Sequence, residues 1–283
     1  MATRPHRTLP GRLWHGAYLT FCVLVFFFLI APLIVVVPLS FNAQPFFTFT
    51  EGMLRFEAAA YSLQWYRDIL ANDQWLLAIR NSVIIATCAT ALATTLGTLA
   101  AVGLSRPTMP LRSLVMTILI SPMIIPIIIV SAGMYFFYSQ VGLAQTMLGI
   151  ILAHAVLGTP FVVITVTATM MNFDYSLTRA AASLGAPPLL TFFRVVLPLI
   201  LPGVVSGALF AFAASFDEVV VVQFLAAYDQ RTIPLQMWAG IREQISPTIL
   251  AVATLLIVVS ALILTAVELL RARVNNQRGV KTI

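Results

Sequence analysis

Six stretches of this 283-residue chain run for twenty or more residues with very little charge. They are 17–39, 77–104, 111–138, 147–171, 195–225 and 249–270. A helix that crosses a membrane needs about 20 predominantly apolar residues. In lipid a segment must satisfy its own backbone hydrogen bonds, so runs of this length predict helices. Only 9% of residues are charged and 60% are hydrophobic, against about 25% charged in soluble domains. Such a chain cannot cover itself with a polar surface, and membrane lipid is its main partner. The expected fold is an all-α membrane protein of six transmembrane helices, in one domain spanning 1–283. The first run is too long for a signal-peptide core of about 7–15 residues and reads as a retained helix. Prolines at 122, 126, 160, 198 and 202 are tolerated where neighbours or water satisfy the freed carbonyls, as along a pathway.

Positive charge orients the spans. With both ends inside, the cytoplasmic segments hold Arg4, Arg7, Arg12, Arg106, Arg112, Arg179, Arg194, Arg271, Arg273, Arg278 and Lys281. The other side holds only Arg55, Arg67, Arg80, Arg231 and Arg242. The net charge of +6 and pI near 9.8 are therefore a topology signal. The charges form no patch or aromatic-basic stripe, so nucleic acid is not expected as a partner. Two outer loops are long enough to fold. Loop 42–74 contains an amphipathic segment at 62–70, either an interfacial aromatic anchor or a docking surface for an external partner. Loop 226–247 carries Trp238 and the pair Arg242–Glu243 and should form a short helix.

Between the fourth and fifth runs, residues 172–203 make a weakly polar island. Leu177, Ala180, Ala181 and Leu184 fall at i, i+3, i+4 and i+7, one face of a helix. Asp174 or Ser176 can cap its start. Gly185 suits the left-handed position after its end, and Pro187 and Pro188 stop it. A second short segment, 189–196, should follow and break at Pro198. Small alanines fit a cleft on a protein better than a membrane surface, where Trp, Phe or Lys are usual.

This loop resembles the cytoplasmic "EAA" loop of ABC-importer permeases, in the pattern Glu-Ala-Ala, three residues, Gly, nine residues, Ile-x-Leu-Pro. Arg179, Ala180, Ala181, Gly185, Val195, Leu197 and Pro198 stand at those positions, with Arg179 in place of the family Glu. Asn81-Ser82, Leu104-Ser105-Arg106, the run 215–221, and the segments 231–238 and 241–248 are similar to the spermidine/putrescine branch of that family, specifically its second permease. The resemblance implies a type I ABC importer permease fold. It implies half of a translocation pathway for a polyamine or related cationic solute. The partners it implies are a homologous second permease, an ATP-binding cassette ATPase dimer holding ATP and Mg, and an extracytoplasmic solute-binding protein, and it implies the bacterial inner membrane as the location of this chain. In the family this loop meets the ATPase, which makes Asp174, Ser176, Leu177, Arg179, Ala180, Ala181, Leu184, Gly185, Ala186 and Pro187 the expected coupling residues.

Asp217 and Glu218 lie inside the fifth apolar run and, with Phe212, Ser215 and Phe216, are the expected residues of the substrate pathway. A carboxylate at the membrane centre costs about 2.5–3.5 kcal/mol on the low scales. Either one of them meets a cationic substrate or gating partner, or they form a structural ion pair near the outer membrane edge with an arginine such as Arg231, Arg242 or one of a partner chain. His154 reads as a packed, hydrogen-bonded histidine, and Cys22 and Cys88 as buried small hydrophobes. Gly203-x-x-x-Gly207 and the pair Gly97/Ala101 allow close helix approach, within the chain or between subunits. The only lysine is Lys281, so no phosphate loop of the Gly-x-x-x-x-Gly-Lys type exists. His6, His15, His154 and the cysteines make no metal set, and no catalytic triad can be placed. The chain needs no cofactor of its own and is not expected to be an enzyme. An ion-coupled secondary transporter is the alternative, but such proteins often carry internal repeats, and none is evident here.

Overall fold

The computed structural model describes residues 9–106, 108–171, 173–243 and 246–277. Arg4, His6, Arg7, Pro107, Asn172, Gln244, Ile245, Arg278 and Lys281 lie outside the described residues. The main helices, in chain order, are α1 (Leu9–Leu39), α2 (Gln64–Ala71), α3 (Asp73–Leu104), α4 (Arg112–Ile124), α5 (Ile127–Val141), α6 (Met147–Met170), α7 (Ser176–Ser183), α8 (Leu197–Phe216), α9 (Val220–Leu225), α10 (Ile233–Glu243) and α11 (Thr248–Gln277). Among the described residues there is no strand, only an isolated bridge between Asn42 and Tyr61.

Among the described residues four helical stretches are long and apolar enough to cross a membrane: Leu13–Leu39, Asp73–Leu104, Met147–Met170 and Pro188–Phe216. The other two expected spans differ from a straight helix or are shorter. The third run is split into α4 and α5, which meet at 103°. The cause is local. Pro126 cannot donate an N–H, and Ile125, preceding it, sits in extended conformation at φ −72° and ψ 138°, as steric clash with a proline ring requires. In the sixth, the apolar helical part is Thr248–Leu262. The fifth span begins before the expected 195 and ends before the expected 225. It is not broken at Pro198. Residues Phe192–Val196 instead widen into a π turn, and Leu197 N–H donates to Phe192 C=O, five residues back. A π turn is a rare insertion that tends to occur at functional places in a helix.

The chain divides into two compact units, 72–239 and 1–71 with 240–283. In the first, α3, α6 and α8 pack on one another. Val162, Val166, Met170, Ile200, Val204 and Ala211 form the buried centre. The approach is made by small residues. A methyl added at Gly97 would lie 2.8 Å from Val162 Cβ, and one at Gly158 would lie 3.1 Å from Ala211 Cβ and 3.3 Å from Ala93 Cβ. Gly207 would place one 2.8 Å from Val162 Cα, and Gly203 would drive one into Thr169. The Gly203/Gly207 motif therefore seats α8 on α6 within this chain. A second buried cluster, including Ile85, Tyr138, Ile150 and Leu225, joins α3, α5, α6 and α9.

The segment between α9 and α10 is fastened to the start of α3. Asn81 Nδ2 donates to Asp229 C=O at 2.8 Å and Arg231 C=O at 3.1 Å. Ile233 N–H donates to Ser82 Oγ at 2.8 Å. Both Asn81 and Ser82 are buried. The short helix expected around Trp238 is α10. In the other unit, α11 packs with α1 and α2. The amphipathic segment expected at 62–70 is α2, with Ile69 buried. The apolar side chains of α1 are exposed along most of its length, which leaves lipid as their solvent. Neither cysteine is in a core: Cys22 is half-buried and Cys88 exposed.

Gly207→Val should lower the thermal midpoint of the detergent-solubilised protein, with a cost of about 1–3 kcal/mol for overpacking. Gly133→Ala, where a methyl meets nothing within 4 Å, should leave the midpoint unchanged or raise it, as helix propensity favours Ala over Gly by up to about 1 kcal/mol. Scanning fluorimetry of both variants checks the contrast.

Candidate functional site

The island between the fourth and fifth runs folds into α7 with a defined start and stop. Asp174 Oδ1 accepts the Ser176 N–H at 2.8 Å, and Ser176 Oγ donates to Asp174 Oδ2 at 2.7 Å. Asp174 is thus the capping group, and Ser176 serves it. The two Ser176 hydrogen bonds, with the Arg179 charge adding to them, hold the Asp174 carboxyl below its ordinary value. A carboxyl so depressed lends its stability above the unfolded value and loses it as pH falls through the folded one. At neutral pH the cap is intact.

The stop is a Schellman motif. Ala186 N–H donates to Ala181 C=O at 3.0 Å and Gly185 N–H to Ala182 C=O at 2.9 Å. Gly185 takes φ +79°, the left-handed conformation open to glycine at no steric cost. Pro187 continues extended, at ψ 156°, and Pro188 opens the next turn. Among the described residues the expected stripe on α7 is largely uncovered. Leu177 is 42% exposed and Leu184 88%, Ala180 is exposed and Ala181 half-buried. Arg179 and Pro187 are also exposed, and Ala186 is half-buried.

A residue not anticipated from the sequence ties this loop to the bundle. Tyr175 OH donates to Ser105 C=O, just past the end of α3, at 2.7 Å. Its ring packs edge-on to Phe173 at 5.3 Å. Beneath lies a cavity of about 430 Å³, lined by Val102, Arg106, Met170, Tyr175, Ala182 and Phe192 among others. A single aromatic residue beside a capping acid gives no periodic signal, so only the packed structure shows the tie.

The expected pathway residues are brought together at the end of α8, in a different arrangement from a continuous helix. The helix stops at Phe216, Asp217 is its C-cap, and a three-residue break precedes α9. Asp217 is exposed; Glu218 is half-buried. Glu218 Oε1 accepts the Val221 N–H at 2.9 Å, so it caps α9. A carboxylate here satisfies a donor that the break would otherwise orphan. Phe212 and Phe216 stack at 5.6 Å. Ser215 is buried and its hydroxyl meets His154 Nδ1 at 2.8 Å, joining α8 to α6. His154 is thereby the packed, hydrogen-bonded residue expected.

The structural ion pair is not formed with Arg231. The Arg231 guanidinium lies 4.6 Å from the Tyr228 ring centroid and donates to Gln236 Oε1 at 3.4 Å. Among the described residues the one ion pair is Arg55–Glu51, at 3.6 Å. No group of three or more His, Cys, Asp or Glu that could hold a metal occurs among the described residues.

Comparison with known proteins places this arrangement. Residues 93–276 match the family described as binding-protein-dependent transport system inner membrane component. The putrescine transport system permease protein PotI of Escherichia coli (strain K12) is 32% identical over 263 residues, covering 90% of this chain and 91% of the relative. The spermidine/putrescine transport system permease protein PotC of Haemophilus influenzae is 32% identical over 256 residues, covering 90% and 96%. The crystal structure of a bacterial ABC transporter involved in the import of alginate shares the fold, with TM-score 0.73 and 15% identity over 94% of this chain and 99% of that one. The chain belongs to the binding-protein-dependent transport system inner membrane component family, as a multi-pass ABC transporter permease and not an enzyme.

Proposed function

We propose that this chain forms half of the translocation pathway of an importer for a polyamine, or a related solute bearing cationic amines. The observation that carries the reading is α7: a short helix, capped at both ends, whose leucine–alanine stripe is largely exposed among the described residues. The identity to putrescine and spermidine/putrescine permeases supports the solute class. A homologous second permease would complete the pathway, and an ATPase dimer would receive α7 and hold the ATP and Mg. An extracytoplasmic binding protein would deliver the solute; a solved alginate importer is in complex with a periplasmic protein bound to alginate pentasaccharide. The excess of arginine on one side supports cytoplasmic termini and a cytoplasmic α7.

Coupling requires a two-state element biased by both the nucleotide and the solute. The geometry favours rigid transmission. Closure of the ATPases would displace α7, the Schellman turn would carry the motion into Pro188–Val196, and from there it would pass to α8. Tyr175 would pass the same motion to the end of α3. At the far end of α8, Asp217 is an exposed carboxylate that also sits at the negative end of the helix dipole. It is suited to an ammonium group. Glu218 is already engaged as a cap and is the less suitable of the two. The family assignment favours this reading over the ion-coupled alternative.

The first test is co-purification. Leu177→Asp with Leu184→Asp should leave the chain folded, because both side chains are exposed, and reduce recovery of the ATPase at least about tenfold, as loss of anchor contacts of about 1.4 kcal/mol or more would. Retention of the ATPase at wild-type level would remove α7 as the docking helix. The second separates the two acids. Asp217→Asn should lower uptake of labelled putrescine in proteoliposomes about tenfold or more, with assembly and ATPase content unchanged. Glu218→Ala should instead cost about 0.5–2 kcal/mol of stability as a lost cap, read as a lower thermal midpoint. Normal uptake by Asp217→Asn would exclude a substrate role for that carboxylate.

A further inference from the structure

The loop between α1 and α2 is built around one side chain. Asn42 is fully buried and uses every polar group it has. Its N–H donates to Leu39 C=O at 3.1 Å, closing the last turn of α1. Its Nδ2 donates to Phe46 C=O and Thr48 C=O, both at 3.1 Å. Its Oδ1 accepts the Gln44 N–H at 3.0 Å, and its C=O accepts Trp65 Nε1–H at 2.7 Å. Ala43 N–H to Ala60 C=O and Ser62 N–H to Phe41 C=O close the frame from the other side. The segment 43–50 is therefore held in one conformation, and it carries no charge.

This frame presents aromatic rings outward. Phe46 is 52% exposed, and Phe47 and Phe49 are also exposed. Phe56 is 84% exposed and stands at φ +56°. Phe56 N–H donates to Met53 C=O and Glu57 N–H to Gly52 C=O, the Schellman pattern in which the left-handed residue is usually glycine. An aromatic residue there is a genuine conformational outlier. Its ring is not packed in its own unit, so packing within the loop does not account for its presence. Tyr61 links this turn to the frame, donating its OH to Met53 C=O at 3.1 Å.

The position of the frame identifies what covers the rings. Asn42 lies three residues past the end of α1, where Phe41 N–H donates to Pro38 C=O and Asn42 N–H to Leu39 C=O; such i−3 turns rise about 2 Å per residue, which puts Asn42 about 6 Å from that end. The carbonyls of Phe46 and Thr48 are one asparagine side chain away from it. The headgroup layer on each side of a bilayer is about 5–8 Å thick. With Leu39, the last residue of the apolar span, set at the edge of the hydrocarbon, the uncharged stretch falls at headgroup depth beside a helix whose apolar side chains are exposed. We propose that Phe46, Phe47 and Phe49, with Phe56 on the same frame, form an interfacial anchor that inserts among the lipid headgroups at the C-terminal end of the first span. This is independent of the solute and of the ATPase.

The test uses the full chain with Cys22 and Cys88 replaced by serine, reconstituted in phosphatidylcholine nanodiscs. Phe47→Cys, and separately Phe49→Cys, is labelled with bimane. Lipid brominated near the headgroup should quench both labels roughly threefold more than aqueous iodide does, as expected of a ring at interface depth. Iodide quenching without bromolipid quenching would overturn the anchor. So would protection of the labels that arises only when the second permease or the solute-binding protein is added, since the rings would then be a protein contact. Phe56→Gly gives an independent reading. It relieves the backbone and should leave or raise the thermal midpoint in detergent, yet lower the midpoint gained on transfer to nanodiscs. An equal gain with glycine would exclude Phe56 from the anchor.

Discussion

The closest physical constraint on this protein is the approach of α3, α6 and α8 at positions where no side chain intervenes. Lipid tails are as apolar as leucine, so apolar burial does not drive helices together in a membrane; close van der Waals packing does. Gly97, Gly158, Gly203 and Gly207 supply that contact, with Val162 as a shared neighbour of Gly97 and Gly207. From this seat follow the positions of both ends of α8. One end continues through the π turn into the loop helix; the other delivers Asp217 and Glu218 to the break before α9. The His154–Ser215 hydrogen bond lies near that second end and joins the same pair of helices.

The loop helix shows how a short element can be stiff without being buried. Isolated helices of eight residues are marginal in water, since nucleation is costly. Here Asp174 closes the start, the Gly185 turn closes the stop, and Tyr175 fixes the whole to Ser105. Each device satisfies groups that a helix end leaves unpaired. The exposed stripe is then free for a partner, and a displacement of it has a continuous path into the bundle. That is what the proposed coupling to an ATPase requires.

Much of this was legible in the residues. Six apolar runs, the stripe at Leu177, Ala180, Ala181 and Leu184, the left-handed Gly185 and the Pro187–Pro188 stop all depend on near neighbours in sequence. That the helix stops at Phe216 was not legible, because the apolar run continues through 217–218 to Leu225, and hydropathy does not register a break whose carboxylate caps the next helix. The size of the bend in the third run was not legible for a similar reason. A proline within a long apolar stretch signals a defect, but whether it bends the helix by a little or by 103° depends on what packs on each side. Pro198 shows the other outcome, in which the helix absorbs the proline through a π turn.

The sequence by itself determined that the chain lives in lipid, that it is helical, and where the capped loop helix lies, because length, hydropathy and capping are local properties. Tertiary structure alone decided which helices the glycines join, that Tyr175 reaches Ser105 seventy residues away, and that Glu218 caps while Asp217 stays free. It also decided that Asn81 holds the segment before α10, across 148 residues of chain. Those contacts join residues that have no spacing rule in common. They exist only once the backbone has been folded to bring them within hydrogen-bonding distance.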